Sequence, residues 1–357
     1  MKIAYLVHLN TGPKSGVFNK IIHQADCWKK LGNQVLLYVL TREREVERGL
    51  PDGSVCFFYS RLSWLDRLRK MNRIVSRIIV DSPNIVYLRQ DHCYPAYVRL
   101  GKALSIVMEI NSDVDAELRA YSKGQWLFNK LTERILWRAS SGAVLVTYEL
   151  VNKKRKFSEG RPVSVIANGI DLSSRTPVEA LHGNAPPTLF FLGSPGMAWH
   201  GIDKILRLAM LFPEWQFYLV GPDGRGMPYS PPNVHCLGEL EEHRYLPLIK
   251  ASDVALSTLA LHRKGMEEAC PLKTREYLSF GLPVIIGYRD TDFPGETDFL
   301  LRLPNTENNI EINLDRIRDF VYRWKGKRVA REKILRIDMI EKERARIEFF
   351  SSILRNN

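Results

Sequence analysis

The sequence has little that would place it outside the ordinary globular proteins. Its five cysteines, Cys27, Cys56, Cys93, Cys236 and Cys270, are scattered and odd in number, and none forms a C-x-x-C pair. That excludes a disulfide framework and a structural zinc site, and leaves buried free thiols. No apolar run is long enough to span a bilayer. The opening "MKIAYLVHLN" is apolar only as far as His8 and lacks the length and cleavage site of a signal peptide. It reads as a first strand, and the expected compartment is the cytoplasm. No acidic triplet or histidine cluster suits a metal, and there is no short repeat or low-complexity tract.

What the chain has in excess is positive charge, in one half only. The formal net charge is +12 over 357 residues. Residues 1–165 hold 27 Lys and Arg against 15 Asp and Glu, while residues 166–357 hold 25 of each. A basic half beside a neutral one implies an anionic partner for the first half: membrane lipid, a phosphorylated acceptor or nucleic acid.

Apolar β-type runs alternate with helix-period segments along most of the chain. The first half offers "KIAYLV", "QVLLYVL", "VCFFY", "NIVYL", "SIVMEI" and "GAVLVT" as strands. The second offers "TLFFLG", "WQFYLVG", "NVHCLG", "DVALST" and "PVIIG". Helical spacing marks 17–31, 62–79, 124–138, 201–211, 243–250 and 271–280. Near-continuous apolar strands alternating with helices predict parallel sheets covered on both faces, and two such series predict two doubly wound domains. The boundary falls near "SVIANGIDLSSRTPVEALHGNAPPTLF", where a strand ends at Ile166 and turn residues follow. The predicted domains are 1–166 and 167–337, with a C-terminal helix of about 338–357 that packs back on the first. Parallel sheets bind ligands at the carboxyl ends of their strands, so two facing domains of this kind create a cleft.

The stretch "KTREYLSFGLPVI" (273–285) concentrates chemistry. Pro271 suits the first turn of a helix and Gly281 the position just past its end. A short helix therefore starts with free backbone N–H groups and Lys273, which suit an anion. Glu276 lies one turn further in, where a carboxylate can accept hydrogen bonds from ribose hydroxyls. Glu268 falls in the preceding loop. A dipole-favouring Glu276 and a solvated Glu268 would give the same pattern without a ligand.

Glu268-x7-Glu276 followed by "YLSFGLPVI" resembles the Glu-x7-Glu signature of retaining GT-B glycosyltransferases of family 4. Other pieces occur in that family's order: "VIANGIDL" (165–172), "FFLGSPGMAWHGIDKIL" (190–206), "FYLVGPDG" (217–224), "NVHCLGEL" (233–240) and, in the first half, "VMEINSDVDAE" (107–117). The resemblance covers roughly residues 1 to 300. It implies an α/β chain of GT-B architecture, with two Rossmann-like domains facing across a cleft. The first would take the acceptor and the second a nucleotide-sugar donor.

The resemblance also implies site roles. Glu276 would hold the donor ribose, and Glu268 would contact the transferred sugar. Backbone groups near Leu272 and Lys273 would bind the diphosphate. Gly193, Ser194, His200, Gly201 and Gly221 would shape the second-domain phosphate loops, and Gly238 to Leu240 would lie along the nucleobase. Lys14 and Gly16 would belong to a first-domain loop near the acceptor and phosphates. Glu109 and Asn111 would sit near the reacting carbon. The sequence departs from the family where many members carry an Arg and a Lys, for Ser194 and His200 stand there. Lys273, Arg275, Arg263 or Lys264 would have to supply the missing charge.

The implied reaction is metal-independent transfer of a hexose from a UDP- or GDP-linked sugar, without a further cofactor. The acceptor would be a hydroxyl of a lipid-linked molecule or glycan, in cell-surface polysaccharide or glycolipid synthesis. Segments 61–80 and 123–139 pair helical apolar spacing with Lys and Arg, the second also with Trp126, Phe128 and Trp137. Basic amphipathic helices of this kind suit an anionic membrane surface. The expected location is peripheral, at the inner face of the plasma membrane. Three rival readings keep the fold: transfer to DNA or a small soluble acceptor, a non-catalytic scaffold, and an epimerase. No helix-turn-helix or zinc module favours nucleic acid.

Overall fold

A computed structural model of the chain describes residues 1–13, 15–60, 63–158, 160–179, 186–225 and 229–356. It divides into two compact units: Met1–Ala167 with Met339–Asn357, and Asn168–Asp338.

The first unit runs β1 (Lys2–His8), α1 (Gly16–Lys30), β2 (Gln34–Thr41), α2 (Arg44–Arg48), β3 (Val55–Phe58), α3 (Trp64–Asp81), β4 (Ile85–Arg89) and α4 (Pro95–Ala103). It continues β5 (Ile106–Ile110), α5 (Val114–Tyr121), α6 (Lys123–Ala139), β6 (Gly142–Leu145), α7 (Tyr148–Ser158) and β7 (Val163–Val165). Its seven strands are parallel in the order β3-β2-β1-β4-β5-β6-β7. Ile3, Tyr5 and Val7 of β1 are all fully buried, as a strand between two helical layers must be.

The second unit holds β8 (Thr188–Leu192), α8 (Ile202–Leu211), β9 (Gln216–Val220), β10 (Val234–Cys236), α9 (Glu242–Ala251) and β11 (Val254–Leu256). Then come β12 (Glu268–Ala269), α10 (Leu272–Ser279), β13 (Val284–Ile286), β14 (Arg289–Asp290), β15 (Leu300–Arg302) and α11 (Leu314–Trp324). Six of these strands form a parallel sheet ordered β10-β9-β8-β11-β13-β15, and β12 pairs β14 apart from it. Both main sheets reverse their strand order once, at β1/β4 and at β8/β11. That reversal opens a crevice at the carboxyl ends of the strands.

The tail is helical as expected, but residues 331–337 are a 3-10 segment, and α12 (Met339–Asn356) follows. α12 belongs to the first unit. Phe350 and Ile353 enter the core beside Tyr87 and Trp28, and Trp28 Nε1 donates to Glu343 at 2.6 Å. Among the described residues, no helix is long and apolar enough to cross a membrane.

Candidate functional site

In the second unit the site is built around the start of α10. Pro271 precedes the helix with an extended backbone, and the N–H groups of Thr274 and Arg275 make its first bonds, to the Pro271 carbonyl. The N–H groups of Leu272 and Lys273 precede that ladder and are available to an anion.

The inward residues of the quoted stretch fix where this helix starts. Thr274 Oγ1 lies 2.7 Å from Ser257 Oγ, just past β11, and 2.7 Å from the Tyr288 hydroxyl. The Leu192 N–H, at the end of β8, donates to the Tyr277 hydroxyl at 2.6 Å. Arg275 is fully buried and bonded to Asp290 at 2.6 Å, to Asp292 at 2.8 Å and to the Asn168 carbonyl at 3.0 Å. Asn168 in turn donates to the Cys270 carbonyl at 2.9 Å. These bonds set the helix start against the β8/β11 reversal.

Lys273 and Glu276 are left pointing elsewhere. Lys273 Nζ is enclosed yet has no hydrogen-bond partner, and it sits 4.4 Å from the centroid of the Phe191 ring. Burial pulls its ammonium down from the ordinary 10.5 to about 7. His200 is buried beside it, and its Nδ1 is also unpartnered. Burial first, then the Lys273 charge, push the imidazole down to about 3, so His200 is neutral near pH 7. Ser194 is exposed. Arg275 is committed to its two aspartates. Arg263 is held by Asp203 and Glu307, with contacts of 2.7 Å to each. Lys264 Nζ lies over the Trp199 ring at 4.9 Å. Among Lys273, Arg275, Arg263 and Lys264, it is Lys273 whose charged group is enclosed without a hydrogen-bond partner.

Two glycines make room for it. A Cβ on Gly193 would stand 2.6 Å from Phe191 Cζ, 2.8 Å from Lys273 Nζ and 2.9 Å from His200 Cε1. Gly221 has φ +105°, and a Cβ there would fall 1.7 Å from the Gly193 carbonyl oxygen. The Gly221 N–H donates to the Gly238 carbonyl at 2.7 Å, so the turns after β8, β9 and β10 are stacked. Gly201 joins the 198–200 turn to α8, and Leu240 is partly exposed just before α9.

Glu276 is mostly enclosed. It accepts from the Tyr245 hydroxyl of α9 and lies 3.9 Å from Arg175. Burial raises its carboxyl above the usual range, against the pull of Tyr245 and Arg175. Neither partner was visible in the sequence. Tyr245 is 31 residues away, and Arg175 sits in a stretch that read as linker. Glu268 is not the loop residue expected: it lies in β12, is 1% exposed, and meets Arg289 at 3.2 Å. A two-residue strand has no periodicity to detect.

In the first unit, Glu109 ends in an ionic cluster with no exposure. Its carboxylate accepts from Lys20 at 2.9 Å, the Tyr5 hydroxyl at 3.0 Å and Arg89 at 3.2 Å. Burial would raise its pKa, but Lys20, Arg89 and Arg346 together hold it well below the usual range. Asn111 is partly exposed and accepts from Lys20 at 2.5 Å. Gly16 opens α1, while Lys14 lies outside the described residues. A polar cluster not anticipated from sequence occupies the β1/β4 reversal. His8 Nδ1 meets Asp91 at 2.5 Å and its Nε2 meets the Tyr59 hydroxyl at 2.8 Å. Tyr94 also donates to Asp91, at 3.1 Å.

A cavity of about 480 Å³ opens elsewhere in the second unit, lined by Arg302, Arg316 and Arg323 among others. No residue of α10 or of the Gly193, Gly221 and Gly238 turns lines it.

No family model and no curated protein matches the sequence. Solved structures do match along the whole chain. A glycosyltransferase from Rickettsia africae is 14% identical with a TM-score of 0.70, covering 100% of this chain and 99% of its own. The lipopolysaccharide outer core galactosyltransferase WaaB, in its apo form, is 13% identical with a TM-score of 0.65, covering 98% and 99%. The fold is GT-B. A further matching structure is an alpha-glucosyltransferase in complex with UDP and a 13-mer DNA containing an HMU base. It is 14% identical, with a TM-score of 0.65 and coverage of 98% and 99%. At such identities the likeness concerns architecture, and the chemistry rests on the residues around α10.

Proposed function

We propose that this chain is a retaining, metal-independent glycosyltransferase that moves a hexose from a nucleotide-diphosphate sugar to a hydroxyl of a lipid-linked or glycan acceptor. The observation that carries the reading is the enclosed, unpartnered Lys273 ammonium next to Gly193, carried by the first turn of α10. A buried lysine without a partner is costly unless an anion completes it.

In this reading Asn168–Asp338 is the donor unit and the first unit receives the acceptor. The diphosphate lies on the Leu272 and Lys273 N–H groups and on Lys273 Nζ, over Gly193. Ser194, His200, Gly201 and Gly221 shape the turns around it. Glu276 accepts from the ribose hydroxyls, Gly238 to Leu240 flank the base, and Glu268 meets hydroxyls of the transferred sugar. In the first unit Gly16 lets backbone approach the acceptor. Glu109 acts through Lys20, holding it toward Asn111 beside the reacting carbon. In the reaction the acceptor oxygen bonds to the anomeric carbon as that carbon's bond to the diphosphate breaks. The electron pair leaves with the β-phosphate, and the acceptor's hydroxyl proton passes to that leaving phosphate oxygen. The helix start and Lys273 favour that step because they face the charge that develops on the leaving oxygen. UDP or GDP is the expected nucleotide, and UDP is bound in the DNA-linked neighbour. The acceptor class places the chain at the inner face of the plasma membrane, in cell-surface polysaccharide or glycolipid synthesis.

The test is a thermal-shift panel of UDP, GDP, ADP, CMP and dTDP on the native chain and on Glu276→Ala. A ligand at 100 times its dissociation constant adds about 2.7 kcal/mol of stability. One nucleotide should stabilise the native chain and lose most of its effect in the variant. If none does, the neutral Ser194 and His200 become the governing feature and a non-catalytic scaffold replaces this reading. DNA as acceptor is the second reading, favoured by the basic first half. It requires duplex binding that weakens steeply with salt.

A further inference from the structure

Helix α6 is inside out. Its buried face carries Asn129 and Glu133 with Leu136 and Trp137. Glu133 is satisfied there by Lys154 Nζ at 2.6 Å. The outward face carries Leu127, Phe128, Leu131 and Ile135, which are 53%, 48%, 68% and 44% exposed. Leu127, Leu131 and Ile135 are spaced four residues apart, so at 3.6 residues per turn they form one stripe, which Phe128 widens. Isolated exposed leucines are ordinary, but a contiguous exposed apolar stripe on a helix that buries Asn129 and Glu133 is not.

We propose that this face of α6 docks on the surface of an anionic lipid bilayer. Charge selects the partner. Lys123, Lys130 and Arg134 line one border of the stripe and Arg138 lies near its end, all exposed. The helix has one acid, Glu133, and it is buried and paired. Lys130 lies over the Trp126 ring at 4.9 Å, the pairing of a cation with an interfacial aromatic. Leucines entering the headgroup boundary with cations beside the phosphates satisfy both halves of this surface at once. A polyanion such as nucleic acid would use the cations and leave the leucines in water. A second copy paired through the same face would bring two sets of four cations together with no exposed acid on either helix.

The position of the stripe agrees with use. The Phe128 ring meets His92 edge-on at 6.4 Å, and His92 follows the carboxyl end of β4. Docking would therefore bring lipid headgroups beside the β1/β4 reversal, where His8, Asp91 and Tyr59 cluster. A hydroxyl acceptor carried on a lipid would arrive there from the membrane plane. That last step rests on the proposed glycosyl transfer, whereas the docking does not.

Flotation of the full chain with vesicles is the test, comparing phosphatidylcholine alone with mixed phosphatidylethanolamine and phosphatidylglycerol. The native chain should float with the anionic vesicles and be released by salt. Leu127→Gln with Leu131→Gln should lower its partition roughly tenfold, the order expected when two half-exposed leucines no longer transfer from water. Lys130→Glu with Arg134→Glu should lower it further, at about 1 kcal/mol for each cation near the surface, or roughly fivefold per cation. Because these side chains face outward, the variants should keep the native melting temperature and the nucleotide response. Three results would overturn the proposal: no flotation of the native chain, equal flotation of the leucine variant, or a native dimer that the leucine variant makes monomeric. A chain that floats but binds no nucleotide keeps the docking and sinks the transferase reading instead.

Discussion

At the scale of single residues, Lys273 decides most. Its folded-state pKa, about 7, lies below the 10.5 of an ordinary lysine. Between those values the unfolded chain holds a proton that the folded chain lacks, so stability without ligand rises with pH across that window. The penalty is full below about pH 7 and gone above the ordinary lysine range. Lys273→Met should therefore raise the melting temperature of the unliganded protein at pH 7. A gain of 1 kcal/mol reads as about 2–4 °C in a unit of this size, and the gain should vanish near pH 10. Binding runs the other way. A bound diphosphate stabilises the ammonium, so binding above pH 7 takes up a proton. Affinity for the stabilising nucleotide should fall by up to tenfold per pH unit there, measured by calorimetry in buffers of different ionisation enthalpy. In Lys273→Met the profile should be flat over the same range and the affinity low throughout. Gly193→Ala makes a related case. Its Cβ would meet the buried Phe191 ring first and then Lys273 Nζ and His200, so nucleotide affinity and stability should drop together. A variant that instead keeps its stability would show that Phe191 and His200 yield.

At the scale of elements, the strands were legible because both sheets are covered on two faces. "KIAYLV" and "TLFFLG" are apolar at nearly every position, and such runs stand out without an alignment. α10 was legible from Pro271 and Gly281 at its ends. The partners of its side chains were not, since Ser257, Tyr288 and Asp290 meet it only through the tertiary fold. The same limit explains α6. Trp126, Phe128 and Trp137 suggest one interfacial set, yet Trp137 is buried and Leu131 is the most exposed of the helix's large apolar residues. Apolar residues fill so much of that helix that spacing alone does not say which side faces in. The clamp on α10 has a direct check. Tyr277→Phe leaves the Leu192 N–H at the end of β8 without its hydroxyl partner. That should cost about 1–3 kcal/mol in denaturant unfolding, with the slope unchanged. Because the helix start would loosen, nucleotide affinity should fall as well. Unchanged stability would mean that the Thr274 and Arg275 bonds hold α10 without the Tyr277 hydroxyl.

At the scale of the whole molecule, the chain leaves its first unit at Ala167 and returns to it at Met339, so the two units differ in what they need from the tail. α12 supplies Phe350 and Ile353 to a core built by Tyr5, Trp28 and Tyr87. It also brings Arg346 and Glu343, both nearly fully buried, into contact with each other. Arg346 is one of the charges that hold Glu109 ionised in the interior. Removing α12 would therefore open an apolar cavity beside Trp28 and take one cation from an already buried carboxylate, two of the few mechanisms that cost several kcal/mol. Phe350→Ala alone should cost about 3–5 kcal/mol. The second unit is continuous in sequence and closes its own sheet. A chain ending at residue 338 should thus lose the cooperative unfolding of the first unit and keep that of the second, with the nucleotide response still attached to the surviving transition. A fragment of residues 168–338 should show that same transition by itself. If the shortened chain instead lost both transitions together, the donor unit would depend on the first for its fold. Nucleotide binding would then have to be assayed only in the intact protein.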